Sequence, residues 1–79
     1  MQNWYMLTLV GKDRPGIVAE VSQTLFEAGG NLGEASMVRL GGNFTVMLML
    51  QIETEKEEVN DLLQPLGKRL GLFFHIDEI

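Results

Sequence analysis

Gly11-Lys12-Asp13-Arg14-Pro15-Gly16-Ile17-Val18 closes an apolar, strand-like stretch and opens a helical one. Before it, Tyr5 to Val10 alternate in a form suited to a strand and stop at Gly11. After it, Ile17, Val21, Leu25 and Ala28 recur at helical spacing and define one apolar stripe. Asp13 can cap a helix, Pro15 can occupy its first turn with φ preset, and Gly16 offers no side chain. The helix should stop at Gly29-Gly30, with Asn31-Leu32 opening the next strand. A helix start this bare presents unpaired backbone N–H groups and a partial positive charge, which together suit an anion. The carboxylate of a small metabolite is the natural candidate. The residues describe a sensor pocket more than a catalytic one.

Outward from that turn, the pattern predicts a first strand from Trp4 to Val10 and a first helix from about Pro15 to Ala28. Phe26 falls on the far side of this helix, away from the stripe. A second strand begins near Leu32 and ends by Leu40, where Gly41-Gly42-Asn43 supplies a tight hairpin. In the third strand, Phe44, Val46, Leu48, Leu50 and Ile52 face one way and Thr45, Met47, Met49 and Gln51 the other. Thr54 and Glu57 read as a capping box for a second helix. That helix carries Val59, Leu62, Leu63, Leu66 and Leu70 on one face. Pro65 interrupts its hydrogen bonding, but the stripe keeps phase across it, so a kink is expected and not a terminus. Gly71 ends the helix, and a fourth strand runs from Leu72 to Ile76 or beyond.

The order β-α-β-β-α-β with right-handed crossovers fits an α+β, ferredoxin-like two-layer sandwich. Its four-stranded antiparallel sheet carries both helices on one face. The other face then displays Met6, Thr8, Val10, Thr45, Met47, Met49, Phe73 and His75. Thioethers and an aromatic ring are unusual on a solvated sheet. We therefore expect Met6, Thr8, Met47, Met49, Phe73 and His75 to meet a partner.

The 79 residues suit one domain, 1–79, with a core small enough to benefit from a second copy. Six basic residues stand against eleven acidic ones, for a net charge of −5. Glu20, Glu27, Glu55, Glu57, Glu58 and Asp61 dominate the helices, and only Lys68 and Arg69 are adjacent basics. Direct nucleic-acid binding, which needs clustered cations, is not expected. The absence of cysteine rules out disulfides and thiolate metal sites. Met1-Gln2-Asn3-Trp4 lacks the basic start and apolar run of a signal peptide, and no run is long enough to span a bilayer. The expected setting is the cytoplasm, without membrane contact.

Asp-Arg-Pro-Gly-Ile-Val after the first strand, Gly-Gly-Asn-Leu before the second, and the element order together resemble the ACT domain family. The stretch from Asn31 to Leu50 is most similar to the glycine cleavage system transcriptional repressor group, and the amino-terminal domain of formyltetrahydrofolate deformylase is similar too. The resemblance implies a regulatory module that binds an amino acid or a related small carboxylate and needs no cofactor. It implies a ligand-facing turn at Asp13, Arg14, Pro15 and Gly16 with Ile17 and Val18, flanked by Asn31 and Leu32. It also implies a pocket completed by a partner, either a second copy of the chain or another ACT domain.

Each of these residues has a plainer role beside the functional one. Asp13 serves either as an N-cap or as a holder of a ligand ammonium. Gly16 either exposes backbone to a ligand or lets the helix approach the sheet. Asn31 either donates to a carboxylate or serves a turn. Arg14 reads as a solvated charge, with a ligand clamp as the alternative. His75 has no ligand set around it in sequence, so it reads as partner-facing or solvated and no metal site is expected. An enzyme on this fold would want an arginine cradle or a nucleophile with a neighbouring base, and neither is evident. An RNA-binding module would want aromatics on the central strands, where this chain has methionine and threonine. A ligand-free dimerisation domain is the main rival to a regulatory module.

Overall fold

The computed structural model describes residues 3–79. Its elements are β1 (Asn3–Lys12), α1 (Ile17–Glu27), β2 (Asn31–Leu40), β3 (Asn43–Ile52), α2 (Lys56–Leu70) and β4 (Phe73–Glu78). The sheet order is β2-β3-β1-β4 with every neighbouring pair antiparallel. This is the ferredoxin-like arrangement predicted from the element order.

Alternation along the two central strands assigns the sheet faces. Tyr5, Leu7 and Leu9 of β1 and Phe44, Val46, Leu48, Leu50 and Ile52 of β3 are buried. They meet Ile17, Val21 and Leu25 of α1 and Val59, Leu63 and Leu66 of α2 in one core. Ala28, expected on the buried stripe, is exposed, because α1 ends at Glu27. Phe26 is 70% exposed, on the outer side as predicted. Helix α2 continues through Pro65 to Leu70, and Gly71 terminates it at φ 68°. Lacking an N–H, Pro65 leaves the Asp61 carbonyl without its helical donor at an exposed site.

The hairpin joining β2 to β3 turns on Gly41 and Gly42, with φ of 60° and 79°. Two consecutive left-handed residues match the twist of the flanking strands, which explains the paired glycines. The turn sets Leu40 opposite Asn43, and the register then runs back to a bulge between Leu32 and Ala35. There Gly33 and Glu34 both stand against Met49, as the pairings on either side require.

The predicted capping box is not formed. Glu55 occupies the N-cap of α2, with no side-chain cap bond. The Thr54 backbone has another use, since its carbonyl accepts a 2.8 Å hydrogen bond from the Tyr5 hydroxyl. Burial raises the Tyr5 phenol above its ordinary 10.0. The folded state therefore holds this proton more tightly than the unfolded chain, so the contribution is intact below about pH 10 and lost as pH rises further. Alkaline unfolding followed by circular dichroism should show a loss of stability above that pH which Tyr5→Phe reduces. An identical alkaline limb in the variant would remove Tyr5 as its source.

Candidate ligand-binding site

The chain between β1 and α1 does not enter the helix as the sequence suggested. Pro15 lies in a turn outside the helix, and Gly16 is the N-cap at φ 82°. A residue with a Cβ is strained in that conformation, and a Cβ built there would meet nothing within 4 Å. Glycine is needed here for its backbone, and the space beside it is open. Among the described residues, no side chain caps α1. The Glu20 N–H donates to the Gly16 carbonyl, while those of Ile17, Val18 and Ala19 precede the first intrahelical bond.

Asp13 is accordingly not the N-cap. Its Oδ2 accepts a 2.7 Å hydrogen bond from Nε of Arg39, near the end of β2. The sheet register explains the meeting. Arg39 stands opposite Phe44 across the hairpin, and Phe44 stands opposite Gly11, two residues before Asp13. The ion pair ties the β1–α1 turn to the hairpin end of β2.

Between these elements is an open cleft of about 450 Å³, lined by Asp13, Arg14, Pro15, Gly16, Ile17, Val18, Ala19, Met37, Arg39 and Phe44. That volume lies within the range of small-molecule sites. Phe44, Met37 and Ile17 give it apolar walls, and Asp13, Arg14 and Arg39 give it charge. Among the described residues, no hydroxyl, thiol or imidazole lines it. The cleft is equipped to hold a small charged molecule by ion pairs and backbone N–H groups.

Six of the eight predicted ligand residues, Asp13 to Val18, come together here. Asn31 and Leu32 do not. They lie at the opposite end of β2, in a groove along α1 with Ala19, Ser22, Gln23, Phe26 and Gly30. Since β2 runs alongside α1, its first residues meet the end of the helix and its last residues the beginning. Sequence reasoning missed Arg39, Met37 and Phe44. The available signal was the hairpin itself, which folds Arg39 back beside the β1 terminus.

On the open sheet face, register gives three cross-strand rows. Val38, Thr45, Val10 and Phe73 form the first, and Ser36, Met47, Thr8 and His75 the second. Met49, Met6 and Asp77 form the third. Phe73 is 80% and Met47 45% exposed, whereas Met6, Thr8 and Met49 are half-buried. His75 Nε2 lies 3.1 Å from Asp77 Oδ1 at an exposed site. No cluster of three or more metal-ligating side chains occurs among the described residues. Nor, among them, is any helix long and apolar enough to cross a membrane.

A family-wide sequence profile described as the ACT domain matches residues 5–77. The chain belongs to the ACT domain family. A UPF0237 protein of Listeria innocua is 40% identical over 74 residues, covering 90% of this chain and 83% of that one. Among solved structures, an ACT domain protein from Streptococcus pneumoniae superposes with a TM-score of 0.83 at 28% identity, covering 96% of this chain and 89% of that one. A protein described as a glycine cleavage system transcriptional repressor gives 0.87 at 26% identity, over the whole of this chain and 47% of that one. A formyltetrahydrofolate deformylase of Pseudomonas syringae gives 0.88 at 23% identity, covering 99% of this chain and 28% of the enzyme. The last likeness shows the fold alone. The ACT domain is a regulatory, small-ligand-binding module.

Proposed function

We propose that this ACT domain binds an amino acid or related small carboxylate in the cleft at the β1–α1 turn. It passes that state on through protein contacts, without catalysing a reaction. The observation that carries the reading is the conjunction of an uncapped α1 N-terminus with the Asp13–Arg39 pair around one cleft. Backbone donors and a guanidinium favour a carboxylate, and the Asp13 carboxylate favours an ammonium.

A second copy or another ACT domain completes the module. β2 is an edge strand that pairs only with β3 among the described residues, and all ten of its residues are exposed. Two such edges set antiparallel about a local two-fold would bring Asn31 of the partner subunit to the Arg39 end of each cleft. That arrangement reconciles the separation of Asn31 from the loop with its expected place beside the ligand. The open sheet face, with Met6, Thr8, Met47, Met49, Phe73 and His75, offers a second contact surface. In a cytoplasmic setting the module would serve control of amino-acid metabolism, glycine cleavage included. With a net charge of −5 it would reach DNA through a DNA-binding partner. The competing reading, a dimerisation domain with an empty cleft, shares the exposed surfaces but makes no use of the charge pair.

Calorimetry against glycine, serine and the remaining amino acids tests the proposal. Binding should raise the melting temperature by mass action. Gly16→Val should abolish binding by filling the open space at the turn, and its φ should cost about 1–2 kcal/mol of stability. A folded wild type that binds no amino acid at millimolar concentration would favour the empty module.

A further inference from the structure

The charges around the cleft are unequal. Two guanidiniums, Arg14 and Arg39, face one carboxylate, Asp13, in a chain whose net charge is −5. Glu20, the acid in the first turn of α1, is instead paired with Arg69 of α2. Lys12 is at the same end of the sheet, opposite Asn43, but on the open face with Val10 and away from the cleft. The hairpin end of this acidic molecule is therefore locally cationic.

The ion pair is also incomplete in a useful way. Only Nε of Arg39 and Oδ2 of Asp13 are engaged. Among the described residues, the terminal guanidinium nitrogens of Arg39, Oδ1 of Asp13 and the whole of Arg14 have no side-chain partner. An Arg39 fork free at its end suits a carboxylate bidentately, and the spare Asp13 oxygen suits an ammonium beside it. A zwitterion bound this way leaves the existing contact intact. Arg14 then remains as an uncompensated positive charge.

We infer that the cleft selects a dicarboxylic amino acid: Arg39 holds one carboxylate, Asp13 the ammonium, and Arg14 the second carboxylate. The methylenes would lie against Met37 and Phe44. This rests on the amino-acid reading proposed above and names its ligand class.

Calorimetry on the full chain with L-aspartate, L-glutamate, L-asparagine, L-glutamine and succinate supplies the test, with melting curves confirming that each variant is folded. The dicarboxylic amino acids should bind about 5- to 10-fold more tightly than their amides, the scale of one partly exposed ion pair. Arg14→Gln should remove that preference, bringing the acids and their amides to similar affinities, and Arg14 makes no side-chain hydrogen bond or ion pair among the described residues. Asp13→Asn should remove the preference for aspartate over succinate. Arg39→Gln should weaken every carboxylate by about tenfold or more. Amides that bind as tightly as the acids, or a preference that survives Arg14→Gln, would overturn the dicarboxylate assignment and leave the amino-acid reading standing. Binding of no amino acid at all would remove both.

Discussion

Replacing Leu7 by alanine is expected to cost roughly 3–5 kcal/mol. Leu7 lies in the middle of β1, opposite Leu48 on β3 and Ile76 on β4, and is fully buried. Both neighbours are held by their own pairing, so the walls of the new cavity have little freedom to collapse. A domain of this length has a total stability of the order of 4–12 kcal/mol, so the variant would lose a large share of it. At about 4–8 °C per kcal/mol, its melting temperature should fall by roughly 12 °C or more. Phe26→Ala, on the outer face of α1, provides the contrast and should change stability by less than about 0.5 kcal/mol. Chemical denaturation with a common m-value decides both. A Leu7→Ala variant within 1 kcal/mol of wild type would contradict the assigned core face.

Met47→Glu should produce the second large effect, on self-association. Met47 is at the middle of the open sheet face, in the row with Ser36, Thr8 and His75, and its directly paired neighbours Thr8 and Ser36 carry no charge. A carboxylate placed at that point would be buried in any contact between copies made by this face, and charges taken out of water without a well-placed partner cost several kcal/mol. The dissociation constant should rise by about 100-fold or more, equivalent to roughly 2.7 kcal/mol. Sedimentation of wild type and variant at high micromolar concentration measures it. A wild type that stays monomeric removes self-association from the proposal. A dimer indifferent to the substitution places the contact on the β2 edge or on the helix that carries Phe26.

The fold was legible because three signals agreed. Period-2 alternation in β3, period-3.6 stripes in both helices, and glycine punctuation at Gly29, Gly41 and Gly71 each limited the others. Cap chemistry was less legible. Asp13 and Thr54 are both competent caps, yet Arg39 takes the side chain of the first and Tyr5 takes the carbonyl of the second. Those competitors are 26 and 49 residues away, out of reach of a local pattern. The site was half legible for a related reason. The contiguous turn from Asp13 to Val18 stays together in space because it is contiguous, while Arg39, Met37 and Phe44 enter only through strand register. Asn31, assigned through the resemblance, is separated from the turn within one chain.

The bulge at Gly33 and Glu34 imposes a constraint on length. Leu32 and Arg39 both lie on the helix side of β2 although seven positions separate them, an odd interval that strict alternation forbids. One additional residue restores the phase. If it were deleted, either Leu32 would leave the helix side of the sheet or Arg39 would turn to the open face, away from Asp13. Sequence drift through this segment can therefore exchange side chains freely at several positions but cannot add or drop one. In descendants of this chain, the spacing from Leu32 to the glycine pair should outlast the identity of most residues between them.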